Sequence, residues 1–121
     1  MPISSSLIPI PKALQAQSTT FDLKERLNWG EPALTIVDVR SRKDFNMGHI
    51  TGAMPVPMEE LLARAAASFE RDRDLYIYGN SDQETAAAAN LLREAGYENV
   101  AELMGGLGAW KAVKGPIDGT F

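Results

Sequence analysis

Three short strand-like runs, separated by segments with helical spacing, constrain the fold more than any other feature of this chain. The runs are LTIVDV at residues 34–39, LYIY at 75–78 and VAEL at 100–103. The first two are apolar at nearly every position, which is typical of strands buried on both faces of a parallel sheet. Their alternation with helices predicts an α/β fold with a mainly parallel central sheet and helices on both faces.

Four helical segments are predicted from apolar residues spaced three or four apart. Asp22 with Glu25 predicts a cap for the first helix, and Gly30 predicts its left-handed stop. The second helix follows Pro57, the third ends before Gly96, and the last lies in GGLGAWKAV. The residues predicted to face the core are Leu23 and Leu27; Met58, Leu61, Leu62, Ala65, Ala66 and Phe69; Ala88, Leu91, Leu92 and Ala95; and Leu107, Trp110 and Val113.

The remaining segments predict irregular structure. Residues 40–57 contain Gly48, Gly52, Pro55 and Pro57, and so predict a loop, a short strand at 53–56 and a turn. Residues 1–18, with three prolines and an SSS run, have no sustained period and predict a flexible tail. Residues 19–121 are then expected to form one domain, since the chain is too short to divide comfortably into two.

Composition excludes several classes of function. The chain has 12 basic and 16 acidic residues and no basic run, so nucleic acid is not an expected partner. No stretch approaches the roughly 20 apolar residues of a membrane span, and the first residues lack the pattern of a secretory signal. We therefore expect no membrane association and a soluble, cytoplasmic protein. The absence of cysteine excludes disulfides, thiolate metal sites and thiol catalysis.

Three separated motifs occur in an order that resembles the rhodanese-like sulfurtransferase domain, over about residues 22–116. They are IVDVR, GHITGA and GGLGAW. The positions that match the family's motifs are Asp38 and Arg40; Gly48, His49, Ile50, Gly52 and Ala53; and Gly105, Gly106 and Trp110. A chance occurrence of this combination would be rare.

The resemblance implies that the loop after Tyr78 corresponds to the active-site cradle, which in active members begins with cysteine and ends with a basic residue. Here Gly79 stands at the cysteine position and Glu84 at the basic position. Active members carry sulfur on the thiolate, and glycine cannot do so. Asp82 and Glu84 also place two carboxylates where an anionic donor would bind. We therefore predict no catalytic residue and no enzymatic activity.

The same loop carries a helix-start signal. Ser81 is followed three positions later by Glu84 and then by an apolar-periodic helix, which is the pattern of a capping box. Asn80 and Asp82 are the competing caps. In a capping box the N–H groups that a cradle offers to a substrate would be occupied within the loop.

The other candidates predict structural roles. His49, the only histidine, has no serine or cysteine partner near it in sequence, and its motif is structural in the resemblance, so it is not expected to be catalytic. The loop oxygens lack a full run of calcium ligands, and no metal site or cofactor is predicted. Asp38 and Arg40 are expected to bond loop backbone or each other, and Trp110 to anchor the core. Gly105 and Gly106 predict a close backbone approach or a tight turn.

The predicted function is a catalytically inactive rhodanese-like module that binds or regulates through the former active-site loop, with an unknown protein partner or small ligand. The predicted surface is formed by Gly79, Asn80, Ser81, Asp82, Gln83 and Glu84. The alternative is a sulfurtransferase-related enzyme or accessory subunit that uses a non-cysteine residue, such as Ser81, or a partner's cysteine. The first is favoured because a serine without an adjacent base is a poor nucleophile.

Overall fold

The computed structural model describes residues 14–30 and 33–120. Its strands are β1 Gln17–Ser18, β2 Leu34–Asp38, β3 His49–Ile50, β4 Met54–Pro55, β5 Asp74–Tyr78, β6 Val100–Leu103 and β7 Ile117–Asp118. Its α-helices are α1 Thr20–Asn28, α2 Arg42–Met47, α3 Leu61–Ser68, α4 Asp82–Glu94 and α5 Gly106–Ala112, with a 3₁₀ turn at Met58–Glu60 before α3. The alternation of strands and helices that the apolar runs predict is therefore present.

Five strands form one parallel sheet in the order β1-β6-β5-β2-β4, and β3 pairs with β7 in a separate antiparallel pair. The register of the two central strands places Leu34 opposite Asp74 and Asp38 opposite Tyr78. Because these strands are parallel and in step, the segments that follow Asp38 and Tyr78 meet at the same edge of the sheet. The predicted α/β class and mainly parallel sheet are confirmed.

Successive strand residues face opposite sides of the sheet, and each side is covered by helices. On one side, Val37, Leu75 and Ile77 pack in a buried cluster with residues of α3 and α4. On the other side, Ile36, Tyr76 and Tyr78 pack with residues of α1 and α5. The helical members of these clusters are Leu61, Ala65, Ala88, Ala89 and Leu92 on the first side, and Leu23 and Trp110 on the second. Burying one such large apolar side chain contributes about 1.5–3 kcal/mol.

The predicted core stripes are wider than the observed ones. In α3, Leu61 and Ala65 are buried, whereas Leu62 is 43% exposed and Ala66 is exposed. Leu27 and Leu91 also remain more than a third exposed. A short helix touches the sheet along a narrow line, so residues at the border of its apolar stripe stay in contact with solvent.

One helix start and one predicted loop differ from the prediction. The cap of α1 is Thr19, whose side-chain oxygen accepts a hydrogen bond from the Asp22 N–H at 3.0 Å, so the helix begins before Asp22 and the predicted cap at Asp22 is wrong. The predicted stop at Gly30 is confirmed by its φ of +73°. The segment predicted as a loop at 40–57 contains α2 and β3 as well as the short strand β4.

The end of the predicted tail is part of the sheet. Gln17 and Ser18 form β1 beside β6, and the Arg93 guanidinium donates a hydrogen bond to the Ala16 carbonyl at 3.0 Å. The prediction that residues up to 18 form a flexible tail is therefore wrong for residues 17 and 18, and residues 1–13 lie outside the described residues. No helix of the described ranges is long and apolar enough to cross a membrane.

Candidate functional site

The 79–84 loop joins the end of β5 to the start of α4. Gly79 is buried, the next four residues are exposed, and Glu84 is half-buried. The Gly79 N–H donates a hydrogen bond to Oγ1 of the buried Thr85 at 2.8 Å, and this hydroxyl in turn donates to the Ser81 carbonyl at 2.9 Å. Thr85 therefore holds the loop backbone at both Gly79 and Ser81. It was not among the predicted site residues, although a threonine four positions after a helix cap is a known way to satisfy a backbone carbonyl.

Ser81 is the cap of α4, as predicted, and neither Asn80 nor Asp82 takes this role. Its backbone is extended, with φ −146° and ψ 161°, and its Oγ accepts a hydrogen bond from the Glu84 N–H at 3.1 Å. The second arm of the box differs from the prediction. Oε1 of Glu84 accepts from the Asn80 N–H at 3.0 Å and lies 3.4 Å from Asn80 Nδ2, so the carboxylate reaches one residue further back than the cap.

The Glu84 carboxylate reaches back this far because Gly79 has no side chain. A Cβ placed at Gly79 would lie 2.6 Å from Glu84 Oε1 and 3.1 Å from its carboxyl carbon. Carbon and oxygen atoms that are not bonded to each other do not approach this closely. The carboxylate therefore fills the space into which any side chain at position 79 would project.

Asp82 connects this loop to the start of α5. Its Oδ1 accepts a hydrogen bond from the Gly105 N–H at 2.8 Å, and Gly105 has a left-handed φ of +77°. Gly106 follows with φ +54°, and a Cβ there would lie 3.3 Å from the Gly79 carbonyl oxygen. The two glycines thus form both a tight turn and a close approach to the 79–84 loop.

Asp38 and Arg40 form a buried ion pair behind the loop. The Asp38 carboxylate is fully buried and accepts hydrogen bonds from the Arg40 N–H at 2.9 Å and from Arg40 Nη2 at 2.7 Å. Nη2 also donates to the Gly48 carbonyl at 2.6 Å. Both predicted alternatives, mutual pairing and bonding to loop backbone, therefore occur together.

Tyr78 extends this polar network. Its hydroxyl accepts a hydrogen bond from the Ile50 N–H at 3.1 Å, and the Arg40 guanidinium lies 5.5 Å from the centre of its ring. Burial, followed by the charge and hydrogen bond of Asp38, raises the pKa of this hydroxyl above its ordinary value. The network holds the ends of β2 and β5 together and keeps Tyr78 protonated.

The remaining predicted motif residues lie away from the loop. His49 Nδ1 is 2.7 Å from the Phe45 carbonyl oxygen, and its ring stacks on that of Phe45 with centroids 3.7 Å apart. Gly52 forms a turn with φ +89°. Trp110 is fully buried and donates through Nε1 to the Pro116 carbonyl at 2.8 Å.

A pocket of about 260 Å³ opens beside the loop. It is lined by Arg40, by residues 79–82 and by residues 105–108. The backbone N–H groups of Ser81 and Asp82 donate to no acceptor within 14–30 and 33–120. In the described part of the chain, no group of three or more histidine or acidic side chains is arranged to hold a metal ion. The site therefore presents backbone hydrogen-bond donors and the Arg40 guanidinium, which is partly buried and already paired with Asp38, and its residues contain no thiol.

Comparison with known proteins supports the assignment of the fold. A family model described as a rhodanese-like domain matches residues 19–113. The crystal structure of the Alr3790 protein from Anabaena sp. has a TM-score of 0.84 at 56% identity, covering 86% of this chain and 81% of that one. Further structures of its rhodanese-like domain also match.

Curated relatives include longer proteins. YqhL of Bacillus subtilis, an uncharacterized protein, is 30% identical over 87 residues, which cover 72% of this chain and 68% of YqhL. The HTH-type transcriptional regulator Rv0324 of Mycobacterium tuberculosis is 35% identical over 102 residues, and the chain spans 43% of its length. Two further relatives have names that refer to sulfur chemistry: the putative sulfur carrier YrkF of Bacillus subtilis, at 29% identity, and the probable adenylyltransferase/sulfurtransferase MoeZ of Mycobacterium tuberculosis, at 27%. The chain spans 43% of YrkF and 26% of MoeZ.

Proposed function

The chain belongs to the rhodanese-like domain family, and from this premise we propose that it is a catalytically inactive member that binds a protein partner through the 79–84 loop. The observation that carries the proposal is the contact between Gly79 and Glu84. The residue that would carry sulfur is a glycine, and a carboxylate fills the space in front of it. Sulfur transfer through this position would need a nucleophile and room for a sulfur atom, and the loop provides neither.

The exposed part of the loop supports a binding role. Asn80, Ser81, Asp82 and Gln83 are all exposed, while Gly79 and Thr85 beneath them are buried and hydrogen-bonded. The loop therefore presents polar side chains on a rigid base, which lowers the entropy that is lost when a partner binds. The match to parts of longer proteins such as Rv0324 and MoeZ agrees with a domain that acts beside a partner.

A second candidate is an accessory role in sulfur transfer, in which a partner supplies the cysteine. The names of YrkF and MoeZ favour it. Ser81 is a poor substitute nucleophile because its Oγ already caps α4 and no histidine lies beside it. Under this second proposal the loop would orient the partner's thiol and would take no covalent part.

An enzyme assay tests the proposed absence of catalytic activity. Purified protein should produce no more thiocyanate from thiosulfate and cyanide than a protein-free blank. Turnover above the blank that persists through further purification, and that is lost in Ser81→Ala, would instead support an enzyme with a relocated nucleophile.

Site-specific crosslinking tests whether the 79–84 loop binds a protein partner. Because the chain has no native cysteine, the crosslinker attaches only at the introduced cysteine. A thiol-reactive photocrosslinker is attached to Gln83→Cys in the loop and, as the matched control, to Glu70→Cys; both native side chains are exposed. We expect Gln83→Cys to form one defined protein adduct that Glu70→Cys does not form. Adding Asn80→Ala to Gln83→Cys should weaken this adduct. Equal labelling from both positions would reject the loop as the binding face.

A further inference from the structure

The last turn of α1 exposes two large apolar side chains that lie close together in sequence. Trp29, which caps the end of α1, is 80% exposed, the highest value among the large apolar side chains of the described residues. Leu27 lies one turn after the fully buried Leu23 on the same side of the helix, but it is 38% exposed. Leu27 and Trp29 form what we call the α1-end surface, which stays in contact with solvent.

The chain that precedes Leu14 joins the domain at the same end of the sheet. β1 and β2 are parallel strands of one sheet, and α1 connects the end of β1 to the start of β2. The end of α1 and the residues before β1 therefore lie together at the end where the strands begin. Leu14 packs against the buried cluster that contains Leu23 of α1. The chain therefore enters on the side of the sheet that α1 covers.

The residues before this entry point are apolar and rich in proline, since residues 7–11 read LIPIP. Proline favours an extended chain, and extended segments of this kind bind to exposed aromatic side chains. β2 lies three strands from β1, which is about 14 Å at the usual strand spacing. Residues 10 and 7 precede Leu14 by four and seven positions, so an extended chain carries them about 13–25 Å from it. Residues 7–10 can therefore reach the α1-end surface.

We propose that residues 7–10 bind to the α1-end surface, with Ile8 and Ile10 packed against Leu27 and Trp29. Removing these apolar side chains from water provides the driving force. The flexible tail predicted for residues 1–18 would then end before residue 7. The 79–84 loop follows the opposite end of β5, so this contact leaves the loop accessible. The proposal adds a second interaction surface and does not depend on the partner-binding role of the loop.

Paramagnetic broadening in the full ¹⁵N-labelled chain tests this contact. Because the chain has no cysteine, Ser5→Cys provides a single attachment site for a nitroxide label. The Leu27 amide and the Trp29 indole N–H should lose at least about half of their signal intensity, since a segment that buries two isoleucines is bound most of the time. The amide of Leu62, an exposed leucine on α3 across the sheet, should keep its intensity.

Substitutions in the segment separate a specific contact from simple proximity of a tail. Ile8→Asp with Ile10→Asp should abolish the broadening, because carboxylates are not buried against apolar side chains without a partner. Ser4→Asp with Ser6→Asp adds the same charge to the same segment and keeps both isoleucines. This matched control should retain the broadening.

Substitutions in α1 test the surface that receives the segment. Trp29→Ser should weaken the broadening at the Leu27 amide, because it removes the aromatic part of the α1-end surface. Phe21→Ser is the matched control, since Phe21 is also exposed, at 57%, but lies at the other end of α1. It should leave the broadening at Leu27 unchanged.

Three results would overturn the proposal. The first is an equal loss of intensity at Leu27 and Leu62, or no loss at either. The second is broadening that Ile8→Asp with Ile10→Asp leaves unchanged. The third is broadening of the same strength in a mixture of spin-labelled ¹⁴N chain and unlabelled ¹⁵N chain, which would show that the segment binds a second copy. The same spectra report whether each variant is folded.

Discussion

Asp82 and Gly105 are 23 positions apart in sequence, and a hydrogen bond of 2.8 Å joins the carboxylate of the first to the backbone N–H of the second. Asp82 is the first residue of α4, and Gly105 is the cap of α5. The bond therefore connects two helix starts that follow neighbouring strands of the sheet. Both residues also line the pocket beside the 79–84 loop.

Removing this carboxylate should loosen the connection between the two helix starts. In Asp82→Ala the Gly105 N–H loses its acceptor, and we expect a loss of about 0.5–1.5 kcal/mol in unfolding free energy. Hydrogen exchange at the Gly105 amide should become faster, while exchange in β5 and β6 changes only in proportion to global stability. Gln83→Ala is the matched control, since Gln83 is exposed and its side chain bonds no group of residues 14–30 and 33–120. Unchanged exchange at Gly105 would contradict the role assigned to Asp82.

The cap of α4 gives a separate prediction. Ser81→Ala removes the acceptor of the Glu84 N–H, so it should destabilise the domain by about 0.5–2 kcal/mol. Urea unfolding measures this as a lower midpoint at unchanged slope. Ser81→Asp should recover most of the loss, because aspartate is an equally good cap. A midpoint equal to that of the wild type would show that the side chain of Ser81 is not needed at this helix start.

Much of the fold and part of the loop could be predicted because their signals are local. The buried runs at β2 and β5, the left-handed stops at Gly30 (φ +73°) and Gly96 (φ +97°), and the Ser81 cap each depend on a few adjacent residues. The Asp38 and Arg40 pair was also within reach, since two residues at a strand end are close whatever the remaining chain does. Apolar periodicity and capping residues therefore predict strands, helix ends and helix caps from short stretches of sequence.

The contacts that could not be predicted join distant segments or depend on an absent side chain. The bond between Asp82 and Gly105 spans two loops, and β1 forms only because the chain passes beside β6, so two residues without any strand pattern pair there. The reach of Glu84 over Gly79 needed the three-dimensional course of the loop. A capping box predicts a bond to the cap itself, and only the empty space at Gly79 redirects the carboxylate to Asn80.

Breaking the buried ion pair should destabilise the domain strongly. Arg40→Met leaves the fully buried Asp38 carboxylate without its cationic partner, and loss of one member of such a pair typically costs about 3–5 kcal/mol. Arg42→Met is the matched control, because Arg42 pairs with Glu60 at the surface, where pairing contributes little. Thermal and urea unfolding should separate the two variants clearly. Similar midpoints would mean that Asp38 finds other donors when Arg40 is removed.

Restoring a cysteine at position 79 tests how far the loop has departed from sulfur chemistry. Gly79→Cys should fold, since the three atoms nearest to its Cβ all belong to the flexible side chain of Glu84. The displaced carboxylate would, however, raise the thiol pKa and repel thiosulfate. We therefore expect little thiocyanate formation from Gly79→Cys, more from Gly79→Cys with Glu84→Ala, and most from Gly79→Cys with Glu84→Arg, where a cation favours the thiolate. The assay is run at low salt to limit screening. Equal activity in all three variants would show that Glu84 does not limit sulfur transfer once a cysteine is present.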